Sequence, residues 1–225
     1  MKKFELTSES IVNNFGKKLF RIKALIEFGN VKEGELGGFV EKEENLSHEG
    51  NAWVFDNAEV SGNARVYGNA WVFENAKVYE NAKVCGDAWV FDNAWVYGNA
   101  WVYENAKFCG DAKVYENAEV CGDARVYGDA WVCGNAEVSG NARVYGNAWV
   151  SGDADYTTIK GFGTKFRTTT FFRCKDGVTR VRCGCFYGDL EQFRKQVKAT
   201  RKGKIAEEYL MIADLMEKHF KEGRL

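Results

Sequence analysis

From Asn51 to Gly152 the chain repeats one six-residue unit, Asn/Asp-Ala-x-Val-x-Gly/Asp/Glu, seventeen times without a gap. In the unit Asn69-Ala70-Trp71-Val72-Phe73-Glu74, Ala and Val alternate with Trp and Phe, the period of two expected of a strand. Glu74 and Asn75 then make a corner, and Gly, Asn and Asp dominate such corners because they tolerate left-handed backbone. One inward slot is Ala in all seventeen units, and the other is Val in sixteen and Phe108 in one. A restricted interior of small side chains beside a freely varying exterior is what a narrow solenoid requires, each coil depending on its neighbours for burial. Proline is absent from all 225 residues, consistent with continuous backbone pairing.

The units resemble the hexapeptide repeat of left-handed parallel β-helix proteins. That resemblance implies a mainly β fold, a triangular prism with three hexads, eighteen residues, per coil. Seventeen hexads make five to six coils, a prism about 27 Å long at one strand spacing per coil. The left hand departs from the usual crossover rule and is implied by the resemblance alone.

Eighteen-residue stacking sorts the exterior into three faces. One carries Trp53, Trp71 and Trp89 beside Phe55, Phe73 and Phe91. A second carries Tyr79, Tyr97 and Tyr115 with Trp95, Trp131 and Trp149. The third is mixed: Arg65, Lys83, Trp101, Glu119 and Glu137, with Tyr67 and Tyr103. Two readings of the aromatic rows stay open: ladders that stabilise the stack, or a face buried against a partner, the Trp53/Trp71/Trp89 stripe being the first candidate.

The repeat frays backwards. Leu46 falls in an Ala slot, His48 in a Val slot, and Val40 in the Ala slot one unit earlier, so residues 37–50 are expected as a degenerate first coil with His48 as a packed capping residue. Ser10–Asn14 and Lys18–Phe28 read as strands of a hairpin around Phe15-Gly16-Lys17, covering the open end of the solenoid. The expected division is a hairpin cap at 1–36, a β-helix at 37–156 and a small basic α+β region at 157–225. The stretch Phe28-Gly29-Asn30-Val31-Lys32, then Gly37-Gly38-Phe39-Val40, Leu46-Ser47 and Gly50-Asn51-Ala52-Trp53-Val54, is similar to a YdcK-type group of bacterial and bacteriophage chains, some labelled transferases. The likeness covers residues 20–155 and implies architecture; the transferase label rests on fold analogy.

Net charge is −1, but it is unevenly spread. Residues 51–155 carry 7 Lys/Arg and 15 Asp/Glu, whereas residues 156–225 carry 16 and 8. In the basic segment Thr168–Cys174 and Thr179–Phe186 are strand-like about Asp176-Gly177, read as a two-residue type I′ turn. That register sets Arg173 opposite Arg180 and an exposed Phe171 opposite Arg182. Asp189 with Gln192 is a helix-start capping pair, with Leu190, Phe193 and Val197 as the apolar stripe and Arg194, Lys198 and Arg201 on another face. A second helix carries Ile205, Tyr209, Ile212 and Met216. The result is a ββαα unit, with Phe171, Arg173, Arg180, Arg182, Arg194, Lys198 and Arg201 as candidate anion or nucleic-acid contacts. The alternative is a solvated basic surface. Gly161-Phe-Gly, Arg167-Thr-Thr-Thr, Cys183-Gly-Cys185-Phe and Glu208-Tyr-Leu resemble a small module of phage and prophage proteins.

Seven cysteines, four of them trading places with Tyr, Phe and Ser at one slot, read as reduced thiols, and Cys174, Cys183 and Cys185 lack the second pair a zinc site needs. No apolar run is long enough to span a membrane and no signal-peptide stretch opens the chain, so a cytoplasmic location is expected, the host cytoplasm if phage-encoded. Hexapeptide acyltransferases, as the resemblance implies, use a catalytic histidine near an extended loop; here there are only His48 and His219, and no loop interrupts the hexads. The corner Asp and Glu read as turn residues and not paired acids. The expectation is a non-enzymatic interaction protein of phage or prophage type, without metal or cofactor. It would engage a protein, with nucleic acid as a second partner through the C-terminal region, as a homodimer or homotrimer, one concrete role being inhibition of a host defence complex. The alternative is an acyltransferase- or nucleotidyltransferase-like enzyme.

Overall fold

A computed structural model describes residues 1–221. Each hexad contributes one two-residue strand, and each strand pairs in parallel with the strand eighteen residues on: Trp71 with Trp89, Trp95 with Lys113, Trp101 with Glu119. Three columns result, a solenoid of about six turns. The first runs from Trp53–Val54 to Arg143–Val144 in six strands, the third from Arg65–Val66 to Glu137–Val138 in five. The second, from Glu59–Val60 to Trp149–Val150, extends into the N-terminal strands Phe4–Val12, Lys18–Ala24 and Leu36–Val40 as one nine-stranded sheet.

Every inward Ala is fully buried, every inward Val is at most 1 % exposed, and Phe108 is accommodated with none of its surface exposed. Burial alone does not set the register. At one corner the Asn63, Asn81, Asn99, Asn117 and Asn135 amides form a ladder, each Nδ2 donating to the next Oδ1 at 3.0–3.2 Å. At this corner and the others, Asp56, Glu74, Glu80, Asp92, Glu104 and Glu116 take positive φ between 52° and 61°. Left-handed backbone costs a residue with a Cβ about 1–2 kcal/mol. Each of these carboxylates offsets that cost by accepting a backbone N–H of the next coil, as Glu74 does from Asp92 at 2.8 Å and Glu116 from Gly134 at 2.7 Å. The acids also stack. Asp92 beside Glu74 raises the Glu74 carboxyl above its ordinary range, so this corner is a turn and an acid pair at once.

The first coil departs from the expected slots. Val40 pairs with Val60 and Leu46 bridges Val66, twenty residues apart, so both stand in Val-type positions and not in Ala slots. Two extra residues lie between Leu46 and Val54, and they release His48 from the stack. Its ring lies against Phe4 at 4.4 Å, Nδ1 accepts the Lys3 backbone N–H at 3.1 Å, and Nε2 sits 2.7 Å from Glu43. The cap hairpin turns at the expected residues, but its first strand starts at Phe4, since Phe4 and Ile22 roof the solenoid core.

The C-terminal region holds four antiparallel strands where two were expected: Tyr156–Ile159, Thr169–Arg173, Thr179–Cys183 and Phe186–Asp189. Two helices follow, α1 (Leu190–Thr200) and α2 (Gly203–Lys221). Asp189 caps α1, accepting the Gln192 N–H at 2.7 Å while Gln192 Oε1 accepts the Asp189 N–H at 3.0 Å. The hairpin register differs by one residue from the expected one. Gly177, at φ 77°, closes a three-residue loop in which Cys174 O accepts the Gly177 N–H at 2.9 Å and the Cys174 N–H reaches Val178 O at 3.2 Å. Phe171 therefore faces Val181, Phe172 faces Arg180, and Arg173 faces Thr179. A one-residue slip sends every side chain to the opposite face. Phe171 and Val181 pack under the helices, whereas Phe172 and Cys174 join the solenoid core. Among the described residues no helix is long and apolar enough to cross a membrane.

Candidate functional site

The first aromatic face begins one coil later than its sequence implies. Trp53 has no exposed surface; Phe28 meets it edge-on at 5.3 Å and Phe4 at 6.1 Å, so it belongs to the roof of the core and not to an outer face. Phe55, packed against that core, abuts Trp71 at 5.4 Å. Beyond them Trp71 and Trp89 stack at 5.5 Å and 6°, and Phe73 and Phe91 at 4.8 Å and 3°, all half-buried. Parallel pairing in register makes this stacking unavoidable, because identical slots lie one strand spacing apart. Lys107 closes the row with Nζ 3.8 Å from the Trp89 ring centroid. The column then becomes cationic: Lys107, Arg125, Arg143.

The second face is bracketed by both terminal regions. Tyr79, Tyr97 and Tyr115 stack at 4.9 and 5.1 Å. Phe15, from the cap hairpin tip, covers Tyr79 at 4.8 Å. Lys113 lies between Trp95 and Trp131, at 4.8 and 5.5 Å. Lys175, from the C-terminal hairpin, sits 3.8 Å over Trp131 and donates to Asp129 O at 2.6 Å. Trp149, at the last coil, is 37 % exposed. Burial pushes the Tyr79 and Tyr97 hydroxyls upward. On the third face Trp101 Nε1 donates to Cys85 Sγ at 3.2 Å and Tyr103 donates to Glu119 at 3.1 Å. These contacts, which link distant segments, carry no local sequence signal.

The seven candidate anion contacts do not form one cluster. Phe171 has no exposed surface and its ring meets Phe193 edge-on at 6.2 Å, so it offers no stacking face to a base. Arg173 pairs with Asp155 at 3.0 Å. Arg180 grips Asp176 with two bonds, at 2.8 and 2.6 Å, which holds the Asp176 carboxyl well below the usual carboxylate range. Arg194 is shared by Asp214 and Glu217 at 2.8 and 2.6 Å. Arg182 lies 5.2 Å from the Tyr145 ring. Lys198 and Arg201 are exposed and, among the described residues, have no acidic partner.

All seven cysteines are free thiols. Cys85, Cys109, Cys121 and Cys133 are buried beside the corner ladders, and burial first, then Asp92, pushes Cys109 up to about 12. Cys174 and Cys183 face opposite sides of the C-terminal sheet, Cys183 accepting the Thr169 hydroxyl at 3.1 Å.

A family model, the YdcK β-solenoid repeat, matches residues 58–74, 118–134 and 136–152, each nearly one coil. A search of the curated proteins finds no match to the chain. Periodic strands, eighteen-residue register and the matched coils agree: the chain is a β-solenoid repeat protein whose coils are similar to the YdcK repeat.

Proposed function

We propose that the chain is a non-enzymatic interaction protein whose solenoid presents the Trp71, Trp89, Phe73 and Phe91 face to a protein partner. One observation carries this reading. Four large rings lie half-buried and stacked in pairs on a continuously paired backbone, next to a roof that buries the fifth ring, Trp53, completely. Rigid aromatic area needs little ordering on association, and such residues dominate interface energetics. His48, the histidine nearest the repeat, is spent on the cap: its ring contacts Phe4, Lys3 and Glu43. The phage or prophage setting, and inhibition of a host defence complex, belong to this proposal and are supported by the resemblance of residues 161–210 to phage modules.

The test is capture from a lysate of the natural host by wild type and by Trp71→Ala/Trp89→Ala, with and without nuclease. Loss of a nuclease-resistant protein partner, with the melting curve retained, supports the face. Equal capture by both proteins contradicts it, and turnover of an acyl donor that dies with His48→Ala would replace it with the enzyme reading. Sedimentation of the purified protein separates a host partner from self-association as a homodimer or homotrimer.

A further inference from the structure

Arg173, Arg180 and Arg194 are neutralised by acids, but a second group of C-terminal cations has no acidic partner among the described residues. Two adjoining cavities lie beside the C-terminal sheet and share Arg167 and Gly184 as lining. The first, about 360 Å³, is floored by Phe186, Phe193, Val197 and Tyr209, with Lys165, Arg167 and Arg201 at its polar margin. The second, about 470 Å³, adds Arg143 from the last coil and Lys160. Five cations thus surround the pair, and neither lining contains an Asp or a Glu. None of the five has an ion-pair partner among the described residues. A third concavity, at the foot of the solenoid, holds Glu137 and Asp153 instead, so a cationic lining is not general to this surface.

Two glycines keep the first cavity in shape. Gly184, at φ 60°, lets Arg167 lie across its backbone; a Cβ there would come within 2.8 Å of Nη1. Gly163, at φ 70°, does the same for Tyr209, whose hydroxyl a Cβ would approach to 2.5 Å and which donates to Phe162 O at 3.2 Å. The rings of Phe186 and Phe193 stand 5.5 Å apart, and Phe193 and Tyr209 meet at 5.8 Å and 88°, a fixed aromatic wall. A cavity of this volume is the size that buries a small ligand, and an apolar floor with a few converging polar groups is its usual construction. Guanidinium forks at the margin match phosphate geometry.

We propose that this cavity pair binds a phosphorylated nucleoside, its base against half-buried Phe186, which Phe193 and Tyr209 back, and its phosphate at Arg167, which both cavities share, with Arg201 on one side and Arg143 on the other. The inference is independent of the aromatic solenoid face. It moves anion recognition from the paired hairpin arginines to the strand-to-helix side of the region.

Calorimetric titration of the full chain with AMP, adenosine and inorganic phosphate tests it. AMP is expected to saturate, and adenosine to bind at least about tenfold more weakly, the usual worth of a charge-assisted bond. Arg167→Glu and, separately, Arg201→Glu, exposed at the end of α1, are each expected to weaken AMP by about tenfold or more. Gln196→Trp, from the exposed surface of α1 that lines the cavity, is expected to remove AMP and adenosine binding while leaving the melting curve unchanged. A 5′-phosphorylated single-stranded octamer, compared with its 5′-hydroxyl form and with AMP, separates the two sources. Tighter binding of the phosphorylated octamer assigns a strand end, and AMP equal or better assigns a free nucleotide. Absence of saturable AMP heat up to about 10 mM, tenfold above the roughly 1 mM that corresponds to about −4 kcal/mol, or equal binding of AMP and adenosine, or AMP binding unchanged in folded Arg201→Glu and Gln196→Trp, would overturn the proposal.

Discussion

The solenoid and the C-terminal region bury similar residues by opposite logics. In the solenoid a strand is two residues long, and its register follows from a neighbour eighteen residues away in the same slot. Its corner amides and carboxylates bond along the axis, so each coil specifies the next. The C-terminal sheet occurs once. Its strand Thr169–Arg173 is buried on both faces, Phe171 toward the helices and Phe172 toward the solenoid, and its register depends on a single three-residue loop. Repetition makes a structure tolerant of ambiguity at any one position, whereas a single-copy sheet lets one loop residue decide which side chains meet water.

The largest break in this comparison is expected from Val96→Asp. That slot is fully buried between coils with no polar partner, and an unpaired carboxylate there costs several kcal/mol. The urea transition of the whole solenoid should collapse or vanish in circular dichroism, and a midpoint near wild type would contradict the stacked core. Phe171→Ala, in the single-copy sheet, is expected to cost about 3–5 kcal/mol of local stability. Amide exchange should accelerate in residues 156–221 and stay slow in the Val and Ala columns; uniform acceleration would show that the two regions unfold together.

A pH series sharpens the contrast between the cap and the stacked coils. Lys3 is 1 % exposed and donates to Ala52 O at 2.9 Å, and burial pushes its ammonium down to about 8. Between about pH 8 and the ordinary lysine value the unfolded chain holds a proton that native Lys3 has released. Stability should therefore rise with pH across that window. Above about pH 10 the sign reverses, since unfolded tyrosines ionise first. Burial, then Cys85, pushes Tyr67 up to about 12, and Tyr79 and Tyr115 shift the same way. Urea midpoints should pass through a maximum in alkaline solution, and Lys3→Met should lose the rising limb while keeping the fall. The smallest effect belongs to Asn99→Ala. It removes two exposed amide bonds of the ladder, at 3.1 and 3.0 Å, for a loss of about 1 kcal/mol in urea unfolding.

The contrast also explains what could be read in advance. Ala52, Val54 and their successors announced the three columns, because every unit restates the same period. Asp189 and Gln192 announced the start of α1, because a capping pair is local. Trp53 looked like the first ring of an outer face, since its roof comes from Phe4 and Phe28, outside the repeat. His48 and Leu46 fell in the wrong slots because two extra residues lengthen one corner without disturbing the apparent motif. The partners of Arg173, Arg180 and Arg194 could not be read in advance, since Asp155, Asp176 and Asp214 reach them only through the fold or through the loop geometry of Gly177. The cationic cavities draw on Arg143, Lys160, Arg167 and Arg201, which no spacing links; the helix pattern singled out Arg201, and the unbalanced charge over the last seventy residues hinted at Lys160 and Arg167 but not at Arg143.

The claim that the first face is the working surface is most directly tested by photo-crosslinking in the natural host, with a photoreactive phenylalanine placed at Phe73 and, separately, at Lys83 on the third face. The account predicts a discrete protein adduct from position 73 and none from position 83. Equal adducts from both positions, or an adduct from 83 alone, would contradict it.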